Sequence, residues 1–305
     1  MQPLAGKLVV DLTRYLPGPF ASRELLRLGA RVVRLESPLG DPLRDLSPEW
    51  DAALNGGKES VIWNREQDPE LGPALCARAD VVLEAFRPGV AERLAVGPAD
   101  VPASVVYCSI TGFGAGDRRA AHDLNYMGWA GALAPTAPAM PPLPVADLAA
   151  GALIAVSHVL AALLERERTG RGARLVVSMT HGAHELARFA GPLTGELACY
   201  RIYECADHRY LTVAALEPKF WRRLCELVER PDLVPRQNDG HEELEELFQT
   251  RPLAEWLALF EGEDVAVGPV AALSEAAREF AGPATEARAP ALGEHTDAWR
   301  TELGL

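Results

Sequence analysis

Cysteine is sparse in this 305-residue chain: Cys76, Cys108, Cys199, Cys205 and Cys225 are all there are, none forms a C-x-x-C pair, and Cys205 and His208 make only one isolated Cys/His pair. A zinc site is therefore not expected, and the five read as reduced, mostly packed thiols of a cytosolic protein. Positive charge is short as well, with 30 Lys and Arg against 43 Asp and Glu for a formal charge of −13. Phosphate backbones are held by basic faces, so no nucleic-acid partner is expected, and an anionic ligand would need a few cations gathered locally. No apolar run reaches the length of a membrane span and the N-terminus shows no signal pattern. A cytoplasmic chain with no membrane partner is expected. Internal repeats are missing, and the glycines never fall into G-x-G-x-x-G, so no dinucleotide site is expected.

What is present is the composition of an ordinary globular protein, 48% apolar and 24% charged, long enough to bury a substantial core. The first half alternates strand and helix. Runs at 7–12, 31–35, 60–63, 81–84 and 105–110 are β-rich, with helical spacing over 20–28 and about 68–78. Pro17-Gly18-Pro19 and Pro38-Leu39-Gly40-Asp41-Pro42 punctuate them. This predicts an α/β fold, Rossmann-like, with a parallel sheet at whose strand ends ligands collect. A proline- and alanine-rich loop over 135–144 precedes the longest helix, 149–168, which Thr169-Gly170-Arg171-Gly172 ends, and a strand at 175–179 follows. Near residue 193 the character changes. Strands at 200–203 and 209–214 suit a hairpin, and helices are predicted over 218–228, 241–248 and 252–260. The expected division is a large domain over 1–190, a smaller α+β domain over 200–270 and a C-terminal return over 271–305, with no element assigned from Ala277 onward.

Two titratable residues organise the reading. His122 in Ala121-His122-Asp123-Leu124-Asn125-Tyr126 and Asp147 in Val145-Ala146-Asp147 are flanked by small apolar residues and lie ahead of a helical run that starts near Gly151. Both are proton acceptors that burial and neighbours can tune towards neutrality. Facing one carbon from opposite sides, one could remove a proton while the other returns one. The plain alternative is a histidine capping a turn and an aspartate at a helix start.

Further strings stand in order around these two. They are Gly6-Lys7-Leu8-Val9-Val10-Asp11-Leu12, Leu28-Gly29-Ala30-Arg31-Val32-Val33-Arg34-Leu35-Glu36-Ser37-Pro38, Phe86-Arg87-Pro88-Gly89-Val90-Ala91-Glu92-Arg93-Leu94 and Ile110-Thr111-Gly112-Phe113-Gly114, with Glu165 to Gly172 and Ala206 to Phe220 beyond the pair. Taken together, over about 4–272, they resemble the family III CoA-transferase superfamily of the CaiB/BaiF type, and within it the α-methylacyl-CoA racemases. The resemblance implies a Rossmann-like large domain and a small domain forming an open ring, with two rings interlocked as an intertwined homodimer and a site shared between them. It implies that Asp147 is the covalent carboxylate of a transferase or one of two bases in a racemase, that His122 is the other base, and that Glu217 reaches the site from the partner subunit. For coenzyme A it points to Arg93, to Trp63, Arg65, Glu84, Ala85 and Phe86 at strand ends, and to Ala121, Asp123, Asn125 and Tyr126 beside His122. Core packing is the alternative for Trp63 and Phe86, and Arg87 is read as structural. No metal is implied, and no cofactor beyond coenzyme A as part of the acyl-CoA substrate.

Three departures accompany the resemblance. Ser37 stands where relatives carry an arginine, so Arg34 or Arg65 is expected to take over its grip on phosphate. The link between about Phe189 and Tyr200 is short and lacks a glycine-rich loop, and Leu143-Pro144 replaces a polar segment that carries an asparagine. Two mechanisms are expected to compete. In a racemase, one base removes the acidified α-hydrogen of a thioester and the conjugate acid opposite returns a proton, the enolate oxygen being held by backbone amides at the start of the helix after Asp147. In a transferase, Asp147 attacks an acyl-CoA and His122 has no obligatory task. A third expectation is an acyl-CoA-binding homologue without activity.

Overall fold

A computed structural model describes residues 2–281 and 288–305. The chain forms two compact units, Met1–Ala187 together with Thr285–Leu305, and Arg188–Ala284. The first is built on six parallel strands: β1 (Leu8–Asp11), β2 (Arg31–Glu36), β3 (Glu59–Ile62), β4 (Val81–Glu84), β5 (Val106–Thr111) and β6 (Arg174–Ser178). Their order is β3-β2-β1-β4-β5-β6, so the chain reverses direction across the sheet between β1 and β4. The strand sequences explain why both faces are covered. Val9, Val32, Val81, Leu83, Val106 and Cys108 enter one core, while Val10, Val33, Val61, Val82 and Tyr107 enter another. Alternate residues of a strand point to opposite faces, so Val-Val doublets feed both layers at once.

The first face packs against α1 (Pro17–Arg27) and the helix α7 (Ala146–Thr169), whose Ala150, Ala155, Val159 and Leu163 are buried there. By length and hydropathy, 24 residues and 1.9, α7 is apolar enough to cross a membrane, which corrects the expectation that no run reaches that length. Of its most apolar window 39% is buried within the chain, and Leu153 and Leu164 are exposed. α8 (Met179–Ala187) lies so close that a Cβ on Gly182 would stand 2.8 Å from the Cβ of Ala150. The second face is covered by α4 (Leu71–Arg78) and by α13 (Thr296–Leu303) with its buried Trp299.

Short helices fill the connections: α2 (Leu43–Leu46), α3 (Pro48–Asn55), α5 (Val90–Arg93) and α6 (Asp123–Trp129). The second unit pairs β7 (Tyr200–Glu204) with β8 (Tyr210–Ala214), and β8 with β9 (Val267–Pro269), all antiparallel. Helices α9 (Pro218–Leu227), α10 (His241–Phe248) and α11 (Leu253–Phe260) bury Trp221, Phe248 and Trp256 against that sheet. α12 (Leu273–Phe280) also belongs to this unit, which is therefore wider than 200–270. α12, which runs past Ala277, and α13 supply elements where the sequence assigned none; each is only eight residues long.

The C-terminal edge of β1–β3 is charged although it is buried. Arg34, 2% exposed, stands 3.2 Å from Asp41 and 3.3 Å from both Glu36 and Asp51. Lys58 donates to Pro19 O at 2.9 Å, Ser22 Oγ at 2.7 Å and Asn55 Oδ1 at 2.8 Å, with Asp11 3.7 Å away. These cations fix the loops that follow β1 and β2. Removing one member of a buried ionic cluster strands the rest, at about 3–5 kcal/mol. Arg34→Leu, which leaves buried Asp41 without its paired cation while Arg44 stays within 2.8 Å of Glu36 and 3.7 Å of Asp51, is expected to lower the urea-unfolding free energy by roughly that amount. A loss under about 1 kcal/mol, the level of an exposed pair, would show that water reaches the cluster.

Candidate active site

α7 does not begin near Gly151. It opens at Ala146 with π-helical turns over Ala146–Leu153, so Asp147 lies inside its first turn. Single π-helical turns concentrate at functional sites. His122 caps a different helix, α6, with an extended backbone and an exposed side chain. The plain alternative, a cap and a helix start, thus describes their local positions.

What joins the two starts is Asp123. Its Oδ1 accepts the amide of Asp147 at 2.7 Å, so α7 is capped by the residue that follows His122. The His122 amide donates to Asn125 Oδ1 at 3.1 Å, and the Tyr126 hydroxyl donates to Ala121 O at 2.7 Å. Of the residues assigned by sequence to coenzyme A, Asn125 and Tyr126 have partners inside the motif, and Asp123 has its partner at the start of α7. Gly112 leaves room for the Tyr126 ring, since a Cβ there would meet it at 2.6 Å. Burial, and then the charge of Asp123, push the Asp147 carboxyl up to about 7. Burial raises Asp123 too, against the backbone donors that lower it. The amides at the start of α7 are engaged: Asp147 N serves Asp123, and Leu148 N donates to Pro144 O at 3.0 Å. They are not the open enolate-oxygen donors that the sequence suggested.

One neighbour of His122 was not foreseen. The Tyr15 ring, from the β1–α1 loop, meets the imidazole edge to face, with centroids 5.9 Å apart and planes at 80°. No motif marks Tyr15; the contact joins residues more than a hundred positions apart.

The residues expected around the nucleotide separate into two groups. Glu84, Ala85 and Phe86 end β4, beside β1. Ala85 is exposed and Phe86 half-buried, and the Phe86 amide donates to Glu84 Oε2 at 2.7 Å while burial raises that carboxyl. Arg93 is exposed at the end of α5, and Arg65 donates to Leu94 O directly after it. Trp63, by contrast, is core: it is 7% exposed and its indole N–H donates to Asp68 O at 2.8 Å. Gly72 lies flat on it, where a Cβ would fall 2.3 Å from the indole. Arg34 cannot replace the arginine missing at Ser37, because three carboxylates hold it in the interior. Glu217 belongs to the second unit, exposed before the first turn of α9.

An open groove of about 440 Å³ runs beside the motif, lined by Leu124, Asn125, Gly128 and Trp129. Among the described residues no cluster of three or more His, Cys, Asp or Glu is placed to hold a metal ion. The five cysteines are unpaired and buried, and burial pushes the Cys76 and Cys108 thiols up to about 12. Such thiols are poor nucleophiles.

A family model described as CoA-transferase family III matches residues 4–290. The chain is similar to human alpha-methylacyl-CoA racemase, 32% identical over 308 residues that span 89% of this chain and 78% of the relative. It is similar to acetyl-CoA:oxalate CoA-transferase of Acetobacter aceti, 31% identical over 322 residues that span 90% and 82%. The crystal structure of Rv3272 from M. tuberculosis matches with a TM-score of 0.84 at 27% identity, covering 98% of this chain and 99% of that one. That of a CaiB/BaiF family protein from Brucella suis gives 0.83 at 26%, covering 99% of each.

The raised Asp147 carboxyl has a consequence for stability. In the unfolded chain it ionises near the ordinary value of about 4, whereas in the folded protein it keeps its proton to about 7. Between those limits the folded state holds more protons, so its advantage is full below about pH 4 and is lost as pH rises to about 7. Asp147→Asn, which cannot ionise, is expected to be roughly 2–4 kcal/mol more stable than wild type by urea unfolding at about pH 8, with the gap closing near pH 4. A gap that does not change with pH would show that Asp147 ionises as freely folded as unfolded.

Proposed function

The chain belongs to CoA-transferase family III, a superfamily of CoA-transferases and racemases, and from that premise we propose that it inverts the α-carbon of a 2-methylacyl-CoA thioester with His122 and Asp147 as the two bases. The observation that carries this reading is the bond from Asp123 to the Asp147 amide. It ties the Asp147 backbone to the residue that follows His122. The thioester carbonyl acidifies the α-hydrogen. One base takes that proton, leaving the electron pair as an enolate, and the conjugate acid opposite returns a different proton to the other face. A carboxyl at about 7 suits this cycle, because it gives and takes protons near neutrality. Acid–base catalysis by a positioned group contributes on the order of 10²–10⁴-fold.

In the same proposal Glu84, Ala85, Phe86, Arg65 and Arg93 line the coenzyme A, at the β4 end next to the point where the sheet order reverses. Ligands of open α/β sheets bind at that point. The enzyme works in the cytoplasm as an intertwined homodimer in which Glu217 of the partner subunit completes the site. Support for dimerisation comes from apolar side chains left open around the motif, Leu124 at 42%, Trp129 at 69%, Met140 at 70% and Leu143 at 61% exposed. Static light scattering is expected to give twice the 32.9 kDa chain mass at every dilution at which the protein keeps its fold; a stable monomer would refute a site completed by a second subunit.

The competing reading is CoA transfer through an Asp147 anhydride, favoured by the partial exposure of that carboxyl at the start of α7. It needs the carboxylate ionised and leaves His122 idle, which is why racemisation ranks above it. Single-base variants in deuterium oxide separate the two. His122→Ala is expected to keep α-hydrogen exchange for one enantiomer and lose inversion by ~10²-fold or more, and Asp147→Asn to show the opposite enantiomer preference. If Asp147→Asn abolishes movement of CoA to an added carboxylic acid while His122→Ala spares it, the transferase reading holds instead.

A further inference from the structure

Tyr15 occupies a backbone conformation that non-glycine residues rarely adopt, with φ at +66°. Residues held in such regions persist only where their surroundings over-determine them, and they gather at functional sites. Here the surroundings are two buried carboxylates. The Tyr15 amide donates to both oxygens of Asp41, at 3.2 and 3.1 Å, and the Asp41 side chain, fully buried, pairs with Arg34 at 3.2 Å and accepts the Leu43 amide at 3.0 Å. Two residues earlier the Thr13 amide donates to Asp11 Oδ1 at 2.9 Å, and Asp11 lies 3.7 Å from buried Lys58. Gly18, after the turn, is pressed onto Thr13, since a Cβ there would fall 1.9 Å from its hydroxyl oxygen.

The loop is thus clamped on both sides of one strained residue. That residue sends its ring not into the core but, 38% exposed, edge to face onto the His122 imidazole. The His122 side chain is itself exposed, while its backbone amide bonds Asn125 Oδ1 and its carbonyl accepts the Asn125 and Tyr126 amides. Edge-to-face geometry fixes the tilt of one ring against another. A general base must meet its proton at hydrogen-bond distance and along the right line, and a displacement of about 1 Å can cost on the order of 10²-fold.

We propose that Tyr15 is the positioning residue for His122: the clamped β1–α1 loop holds its ring against the imidazole and so aims that base at the α-carbon. The proposal rests on the two-base reading for its catalytic arm, and on the ring contact alone for its structural arm. Tyr15→Gly tests it without endangering the fold, because glycine accepts a positive φ more readily than tyrosine does. Tyr15→Phe keeps the ring.

The first measurement is the ring-proton NMR signal of His122, identified among the seven histidines by its disappearance in His122→Ala. Tyr15→Gly is expected to shift that signal and Tyr15→Phe to leave it near its wild-type position. The second is α-hydrogen exchange of (R)- and (S)-2-methyldecanoyl-CoA in deuterium oxide. Tyr15→Gly is expected to slow, by roughly 10- to 100-fold in kcat with little change in KM, the enantiomer whose exchange His122→Ala abolishes, while sparing the other. Tyr15→Phe restores it. An unmoved His122 signal in Tyr15→Gly, or equal slowing of both enantiomers, overturns the proposal. If the wild-type protein exchanges neither enantiomer, it is the racemase reading that falls, and the NMR signal still decides whether Tyr15 orients the imidazole.

Discussion

The bond from the Asp123 carboxylate to the Asp147 amide sets the geometry on which the site depends. It spans 24 positions of sequence and crosses a proline-rich loop that could not hold its two ends in register by itself. A carboxylate accepting an amide at a helix start is a charge-assisted bond, stronger than a neutral one. Its partner, Asp147, then lies between opposing influences. The start of a helix favours a negative charge by about 0.3–1 kcal/mol, and at most ~2. Burial and the nearby Asp123 charge work the other way, lifting the carboxyl from the ordinary range to about 7, which corresponds to on the order of 4 kcal/mol. Burial wins, so the residue that anchors Asp147 in place also helps keep it protonated.

A second constraint acts beneath the first. Parallel sheets place their loops at the C-terminal ends of the strands, and those loops must be held without an apolar core of their own. Here Arg34 and Lys58 do this as buried cations among Asp11, Asp41, Asp51 and Asn55. Burial also pushes the Lys58 ammonium down to about 7, so the network is not a uniformly charged one. An ionic cluster is an expensive way to gain stability, since desolvation offsets most of the attraction. What it supplies is direction: carboxylates whose lone pairs point at chosen amides can fix a loop in a strained conformation, which apolar contacts do not do.

The sheet was legible in the sequence because Val-Val and Val-Val-Leu runs bounded by glycine and proline have few other uses. The long helix was legible too, but its first turn was not. Ala146 to Ala149 follow a proline-rich loop, and the π-helical opening that carries Asp147 has no period of its own. α6 and α8 escaped because they are seven and nine residues long and each contains a glycine. The motif string around His122 was visible, yet its internal division was not. That Asp123, Asn125 and Tyr126 serve the motif's own geometry depends on bonds to Asp147 N, His122 N and Ala121 O, which no spacing rule encodes. Arg34 was misread as a free cation because three carboxylates that neutralise it come from β2, the turn after it and α3.

These features bear on how one scaffold hosts both chemistries of its superfamily. The helix start that bears Asp147 suits a nucleophile or a base equally well, so the choice between them cannot lie there. It lies in what faces that carboxyl. Under the two-base proposal the facing segment is the loop between β5 and α6, which ends in His122, together with the β1–α1 loop that brings Tyr15 onto it. Neither loop contributes a strand or a core helix, so both can change residue by residue at little cost to the sheet. In that proposal a histidine at the end of one and an aromatic ring clamped in the other add a second, oriented base to a site that otherwise holds a single carboxyl. Under the two-base proposal, reaction type in this fold is a property of those two loops and not of the aspartate.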